Sequence, residues 1–149
     1  SKAHGLAGLR VGYLVGEAKL IECIARVRPM HEISSLAAIA AEVVLDNPQL
    51  ITDLQKSVTE SKKYLFNELD GLGIPYRNTH ANFALLYMPN DGKTFNISQR
   101  LKNRGILIRR PFDEKELTGW IRICVGDLSH SIQFIEKLSE ELKTEECIN

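Results

Sequence analysis

A change in apolar periodicity near residue 73 constrains the fold of this chain more than any other feature of its sequence. Upstream of it, apolar residues at helical spacing form one stripe over roughly 23 residues. The stripe comprises Leu50, Leu54, Val58, Leu65, Leu69 and Leu72. Asn47-Pro48 is a helix-start signal, and Gly71 and Gly73 end the stripe. These features predict one long helix.

The pattern after Gly73 is typical of short strands alternating with helices. The strand candidates are Ile74–Arg77, Ala81–Met88, Ile106–Arg109 and Trp120–Val125. Helices are predicted over Asn96–Arg104, with Ile97 and Leu101 facing inward, and over Ser129–Lys143. From residue 31 onward we therefore expect an α+β fold. It has an antiparallel or mixed sheet of three or four strands, with helices on one side and a long helix before it.

The first third of the chain is less regular. The segment up to Gly16 is rich in glycine and predicts a loop followed by one or two buried strands. A helix is predicted over Glu17–Arg28, because Pro29 disfavours helix at the residue before it. Ser34 or Ser35 can cap a second helix, which is small and apolar on most sides and is therefore expected to be well buried.

Charge and hydropathy exclude several classes of partner. The 149 residues contain 19 Lys and Arg against 19 Asp and Glu, so the formal net charge is zero. A neutral chain gives no global attraction to nucleic acid or anionic lipid. Apolar stretches such as Leu36–Ala41 are much shorter than the roughly 18–20 residues that span a bilayer. No signal-peptide pattern is present, and we expect neither a nucleic-acid nor a membrane partner.

The cysteines and histidines give no metal-binding pattern. Cys23, Cys124 and Cys147 lie far apart without a C-x-x-C pair, which favours a reducing compartment such as the cytoplasm. His31, His80 and His130 lack metal-ligand spacing. The sequence therefore predicts no metal site.

The sequence motif that indicates chemistry lies at the start of the chain. It reads Ser1-Lys2-Ala3-His4-Gly5-Leu6-Ala7-Gly8-Leu9-Arg10-Val11-Gly12-Tyr13. A desolvated lysine can act as a nucleophile toward an aldehyde. Glycines allow a close backbone approach to an anion, and an arginine such as Arg10 can bind phosphate with two donors. One molecule with both an aldehyde and a phosphate is pyridoxal phosphate. The spacing alone also fits a surface lysine before a glycine-rich hairpin.

This stretch resembles the cofactor-lysine motif of the fold-type-I, class I/II aminotransferases. It is most similar to the histidinol-phosphate branch, whose pattern S-K-x-x-G-L-A-G-L-R-x-G-Y is met at every fixed position. The resemblance implies that Lys2 forms the Schiff base with the cofactor and moves a proton between the substrate Cα and cofactor C4′. It also implies that Ser1 and Arg10 hold the cofactor phosphate. His4 differs from the Phe or Tyr common there.

The resemblance continues through most of the chain. Ala81–Leu86 is similar to a family strand with an N-F pair. Residues 105–126 are similar to the segment G-I-x-[IV]-R … L-x-G-x-[IL]-R-[IV]-x-x-G. The resemblance implies that Arg122 binds the substrate α-carboxylate. It further implies that Arg109, thirteen residues earlier, helps to bind a distal phosphate. After Gly126 the chain lacks the acidic pair usual in the histidinol-phosphate branch.

The neighbouring residues in the sequence support an anion-binding role for Arg122 more than for Arg109. Arg122 lies mid-strand between Ile121 and Ile123, where a charge needs an anion. That anion could be a substrate or a structural salt-bridge partner. Arg109 belongs to a basic cluster of Arg100, Lys102, Arg104, Arg109 and Arg110, and such clusters are usually solvated faces.

The resemblance also implies a domain organisation. Residues 1–30 would be the C-terminal strip of the large cofactor-binding domain, and residues 31–149 the small C-terminal domain. Because the chain begins at Ser1 without Met, directly at the motif, we expect it to be a fragment. The parent would be a homodimeric, pyridoxal-phosphate-dependent aminotransferase acting on small amino acids and 2-oxo acids.

The isolated 149 residues are expected to be inactive, because the family's remaining cofactor contacts lie upstream of the lysine. A decarboxylase of a phosphorylated amino acid and a non-catalytic interaction module stay open as alternatives.

Overall fold

A computed structural model describes residues 4–29, 33–88, 93–109, 112 and 114–146. The chain divides into two compact units, Ser1–Leu54 and Gln55–Asn149. Its elements are α1 (Ala18–Ala25), α2 (Ser35–Asp46), α3 (Pro48–Gly71), β1 (Tyr76–Asn78), β2 (Phe83–Tyr87), α4 (Lys93–Asn103), β3 (Trp120–Cys124) and α5 (Leu128–Glu146), with 3₁₀ turns at Ala7–Leu9 and Lys115–Leu117. None of the helices in the described ranges has the length and apolar character needed to cross a membrane.

The glycine-rich segment forms a turn and irregular backbone, so the prediction of buried strands there is wrong. The segment 10–16 contains no strand, and Tyr13, Leu14 and Val15 are largely exposed. A strand needs a hydrogen-bonded neighbour, and glycines weaken it further. Arg10 follows the 3₁₀ turn in the left-handed region (φ 53°), and its N–H donates to the Ala7 carbonyl at 3.4 Å.

The predicted start of α2 is confirmed. The Ser34 hydroxyl accepts a hydrogen bond from the N–H of Ala37 at 3.1 Å, which caps the helix. The prediction that this helix is well buried is wrong, since Ala37 is its one buried residue among those described. More than half of each of four larger side chains is exposed, namely Leu36, Ile39, Val43 and Leu45. A helix that is apolar on most sides exposes every face that no other element covers.

The second unit contains a three-stranded antiparallel sheet in the order β1-β2-β3. This confirms the predicted α+β class and the antiparallel sheet. Residues 106–109 do not form the predicted strand, because they lie outside the hydrogen-bonded ladder. β3 is therefore paired on one side only within the described sheet, and residues 106–109 lie near its open side.

The helices of this unit bury one face of the sheet. Ala84 and Leu86 of β2 and Ile121 and Ile123 of β3 are buried on that face. The helical side of the core comprises Leu65 and Leu69 of α3, Ile97 and Leu101 of α4, and Phe134, Ile135 and Leu138 of α5. The predicted inward positions of Ile97 and Leu101 and the alternation in β3 are thus confirmed. The opposite face of the sheet is left for polar and aromatic side chains.

Two polar clusters attach α5 to its neighbours. The hydroxyls of Ser61 in α3 and Ser131 in α5 are 2.7 Å apart and buried, and the Ser61 hydroxyl also donates to the Asp127 carbonyl at 3.1 Å. Near the other end of α5, buried Glu141 forms ion pairs with Arg100 and Arg104 of α4. These two arginines thus fix α4 to α5, whereas the sequence had suggested a solvated face.

Candidate functional site

The uncovered face of the sheet combines aromatic and basic side chains. Side chains alternate along a strand, so the register places Leu85 beside Arg122, Tyr87 beside Trp120 and Phe83 beside Cys124 on this face. The Tyr87 and Trp120 rings are in contact, with centroids 5.1 Å apart. The guanidinium of Arg77 lies 5.9 Å from the centroid of the Trp120 ring.

Arg122 is a polar residue on this face with a hydrogen-bond donor that has no acceptor in the described structure. Its guanidinium lies 5.2 Å from the centroid of the Phe83 ring, a cation–π arrangement. Its Nε is fully buried and has no hydrogen-bond partner among the described residues. A buried donor without an acceptor costs about 1–3 kcal/mol. An anion that reaches this guanidinium would remove that cost.

Arg122 and Arg109 line the same cavity. It has a volume of about 280 Å³ and lies between β3, the segment 105–109 and the first turns of α5. Its lining residues are Gly105, Ile106, Leu107, Ile108, Arg109, Arg122, Ile123, Cys124, His130, Ser131, Gln133 and Phe134. The guanidinium of Arg109 lies 5.2 Å from the centroid of the Phe112 ring. The structure thus brings together the two arginines that the sequence singled out for substrate binding.

His130 also lines this cavity, although no sequence motif predicts a role for it. Its Nδ1 lies 3.1 Å from Oδ1 of Asp127, and its backbone N–H donates to the same oxygen at 3.1 Å. Asp127 precedes α5, so it acts as the helix cap. An acid before a helix start with a histidine three residues later is the sequence signal that could have identified this pair.

The hydrogen bonds to Asp127 keep its carboxylate ionised. The Ser129 hydroxyl donates to Oδ1 at 2.6 Å, and together with the His130 N–H it holds the pKa of Asp127 below its ordinary value. The lowered pKa means that the unfolded chain binds more protons near the ordinary aspartate pKa of about 3.9. Asp127 therefore stabilises the folded chain above that pH, and this contribution is lost as the pH falls through the lower, folded-state pKa.

We expect the variant Asp127→Asn to be less stable than the parent chain at neutral pH, because the charge that accepts these hydrogen bonds is gone. The difference in urea midpoint should shrink as the pH is lowered from 7 to 3. Asp53→Asn is a suitable control, since the Asp53 carboxylate accepts a hydrogen bond within α3 from the side chain of Gln49. A difference in midpoint for Asp127→Asn that stays constant over this pH range would contradict the prediction.

A second feature that sequence reasoning missed is Lys62. Its Nζ donates to Asn78 Oδ1 at 3.2 Å, to the Thr79 carbonyl at 2.5 Å and to the Ala81 carbonyl at 2.6 Å. Burial lowers the pKa of this lysine. Lys62 thereby fixes the connection between β1 and β2. Next along the chain, the Asn82 carbonyl accepts a hydrogen bond from Val125 N–H at 2.9 Å, which joins this connection to the end of β3.

The predicted cofactor residues fall in the first unit. Ser1 and Lys2 lie outside the described residues, so their roles stay predictions. Arg10 is exposed, and its side chain has no hydrogen-bond or ion-pair partner in the described part of the chain. The ring of His4 meets that of Tyr13 edge to face, with centroids 6.1 Å apart, as a flat substitute for an aromatic residue can.

No group of three His, Cys, Asp or Glu side chains suited to a metal ion occurs within the described ranges.

The family model for aminotransferase class I and II matches residues 1–138. Histidinol-phosphate aminotransferase 1 of Carboxydothermus hydrogenoformans is 36% identical over 142 residues, which are 95% of this chain and 40% of that protein. Histidinol-phosphate aminotransferase of Methanothermobacter thermautotrophicus is 32% identical over 146 residues, covering 94% of this chain and 38% of that one.

A solved structure has the same fold over this length. It is the histidinol-phosphate aminotransferase of Sinorhizobium meliloti in complex with pyridoxal-5'-phosphate. Its TM-score is 0.85 at 23% identity, over 97% of this chain and 40% of that one. The chain therefore spans about 40% of the length of the curated relatives that it matches.

Proposed function

Because the chain belongs to the class I and II aminotransferase family, we propose that it is the C-terminal part of a pyridoxal-phosphate-dependent aminotransferase. The parent transfers an amino group between an amino acid and a 2-oxo acid, with a substrate similar to histidinol phosphate. Residues 1–30 are assigned to the large domain and residues 31–149 to the small domain. The named relatives and the matched motif support this assignment.

The observation that carries the proposal is the environment of Arg122. A guanidinium held against Phe83, with a buried Nε and no acceptor in the described structure, is suited to bind a carboxylate through two donors. In the proposed reaction this group is the α-carboxylate of the amino-acid or 2-oxo-acid partner, such as glutamate, since histidinol phosphate carries a phosphomonoester and no carboxylate. Binding it orients the amino acid so that its Cα–H bond is held in one direction. Arg109, on the same cavity, is assigned to a distal phosphate of the substrate.

Pyridoxal phosphate, when bound, supplies an aldehyde that joins the amino group and a ring that accepts electrons from the substrate Cα. The described residues fit its phosphate, because the exposed Arg10 has no competing acidic partner among them. Ser1 is assigned to the same phosphate. Lys2 is assigned as the attachment point of the cofactor, and its amine moves the proton between the substrate Cα and cofactor C4′.

We assign the parent to the cytoplasm and to a homodimer. The spacing of the cysteines supports a reducing compartment. The homodimer follows from the family resemblance alone.

The direct test is an assay of the holoenzyme that carries this chain. Incubation with histidinol phosphate and 2-oxoglutarate should yield glutamate without release of carbon dioxide. Release of carbon dioxide from a phosphorylated amino acid would instead identify the decarboxylase alternative. If neither glutamate nor carbon dioxide is formed, and the upstream reading frame lacks the family's cofactor residues, the interaction module is favoured.

The isolated 149 residues should neither transaminate nor retain the cofactor, because Lys2 and the two residues assigned to the phosphate, Ser1 and Arg10, give too few contacts. We expect borohydride reduction in the presence of pyridoxal phosphate to label Lys2 poorly, as measured by peptide mass spectrometry. The exposed Lys19 is the internal control for adventitious labelling. Stoichiometric labelling of Lys2 alone would contradict this prediction.

A further inference from the structure

The ammonium of Lys62, on α3, gathers acceptors from the end of β1 and from the connection 79–82 that leads to β2. It donates to the side chain of Asn78 and to the carbonyls of Thr79 and Ala81. An ammonium has three N–H donors, so these contacts use all of them. Carbonyl oxygens carry partial negative charge, and two that point toward one site repel each other unless a donor lies between them. The conformation of this connection therefore depends on a side chain from another element.

The same connection fixes the first residue of β2. Thr79 lies opposite Phe83, one step beyond the last pair of the β1–β2 ladder, and its hydroxyl donates to the Phe83 carbonyl at 2.5 Å. The Asn82 carbonyl accepts a hydrogen bond from the N–H of Val125 at 2.9 Å, which attaches the connection to the end of β3. The backbone of Phe83 is therefore held by Thr79 on one side and, through its neighbour Asn82, by β3 on the other.

Phe83 is the point at which this connection meets the candidate site. Its ring centroid lies 5.2 Å from the guanidinium carbon of Arg122, across the β2–β3 pair. The Nε of Arg122 has no hydrogen-bond partner in the described part of the chain, so the ring takes a larger share in holding the guanidinium. An arginine side chain has many rotamers, and each one that the ring excludes reduces the entropy lost when a carboxylate binds.

We propose that Lys62 is a positioning residue for carboxylate substrates. It does not line the cavity; it holds the connection 79–82, which in turn keeps the Phe83 ring against the Arg122 guanidinium. This inference rests on the proposed aminotransferase function, in which Arg122 binds the carboxylate of an amino acid or 2-oxo acid. A lysine that only stabilised the fold would change stability without changing how Arg122 binds its ligand.

The first test is the steady-state kinetics of the holoenzyme with glutamate. We expect Lys62→Met to raise KM about fivefold, because the guanidinium is less well held, and to leave kcat within about twofold, because Lys62 touches no reacting group. Lys62→Arg keeps charged donors and should restore most of the loss. Lys63→Met is the matched control, since Lys63 is an exposed neighbour on α3 whose side chain has no hydrogen-bond or ion-pair partner among the described residues.

A double-mutant cycle with Phe83→Leu shows whether Lys62 acts through the ring. In the Phe83→Leu background, Lys62→Met should raise KM by less than about 1.5-fold, because the contact that it supports is already gone. A similar rise in both backgrounds, or no rise in either, would overturn the proposal. If Lys62→Met does not fold, Lys62→Gln replaces it. Gln keeps N–H donors without the charge, and it should raise KM about twofold; an unchanged KM would count against the proposal.

A spectroscopic test is independent of the reaction. The Nε–H proton of Arg122 lies near the Phe83 ring, so its NMR chemical shift depends on where that ring lies. In the parent protein with isotope-labelled arginine, the resonance is assigned by its loss in Arg122→Lys. Lys62→Met should move it in the same direction as Phe83→Leu, and Lys63→Met should leave it in place.

The two tests separate this inference from the proposed function. If the wild-type holoenzyme does not transaminate, the proposed function fails, and the resonance alone decides whether Lys62 positions the Arg122 guanidinium. A resonance that stays in place in Lys62→Met would overturn the positioning role whatever reaction the parent catalyses.

Discussion

Replacing Arg122 with lysine in the holoenzyme is expected to lower kcat/KM for an amino-acid donor such as glutamate by about 100-fold. Lysine keeps the charge but cannot offer two parallel N–H donors to a carboxylate. The loss of one charge-assisted hydrogen bond, at about 2–3 kcal/mol, accounts for that factor. Steady-state kinetics with glutamate and 2-oxo acid acceptors would measure it.

The matched control for this variant is Arg77→Lys. Arg77 lies on the same uncovered face of the sheet, but it rests on Trp120 and does not line the cavity. It should change kcat/KM by less than about threefold. An equal loss in both variants, or an equal loss for an amine donor without a carboxylate, would show that Arg122 is not a carboxylate ligand.

Stability offers a second criterion for Arg122. A structural arginine would lower the urea midpoint when replaced. An arginine that binds a substrate anion leaves its buried Nε without a hydrogen-bond partner in the ligand-free protein, and this has an energetic cost. Arg122→Met removes that cost, so it should leave the urea midpoint unchanged or raise it.

Replacing Glu141 with alanine is expected to destabilise the chain by about 3 kcal/mol. The Glu141 side chain is only 5% exposed and pairs with both Arg100 and Arg104. Its removal leaves two guanidinium groups, each about one-third exposed, without their shared carboxylate. The partial exposure of the arginines keeps the value at the lower end of the range for buried pairs.

Glu140→Ala is the control for that prediction. Glu140 also forms an ion pair with Arg104, but its side chain is 54% exposed. Exposed pairs contribute little, so we expect a loss of less than about 1 kcal/mol. Urea unfolding of the two variants under the same conditions measures the difference. Similar losses in both would mean that the burial of Glu141 does not strengthen its ion pairs.

Much of the second unit could be predicted because its local signals agree with its tertiary contacts. The turn residues and the alternation in β3 predict which face of Trp120–Cys124 is buried, and Ile121 and Ile123 do lie in the core. Residues 106–109 do not form the predicted strand. Strand formation requires a hydrogen-bonded neighbouring strand, and the local sequence does not show whether one is present. The prediction that α2 is buried was wrong for the same reason. Its apolar residues indicate that the helix can be buried, but they do not show which surface would cover it.

The candidate site was predictable only in part. The motif identified Arg109 and Arg122, but the sequence could not show that both line one cavity. It also assigned Arg100 and Arg104 to a solvated face, because their partner Glu141 lies some forty residues away on another helix. Lys62 went unnoticed because its role depends on contacts between segments.

The order of the strands has a kinetic consequence. β1 and β2 are joined by a short connection and can pair early, whereas β3 must return past α4 and the turns that follow it before it pairs with β2. Closing the longer loop costs more chain entropy, and non-local pairings of this kind slow folding. Phe83 meets Arg122 only across that late pairing. We therefore expect the cavity that Arg109 and Arg122 line to be among the last features to form when the chain refolds.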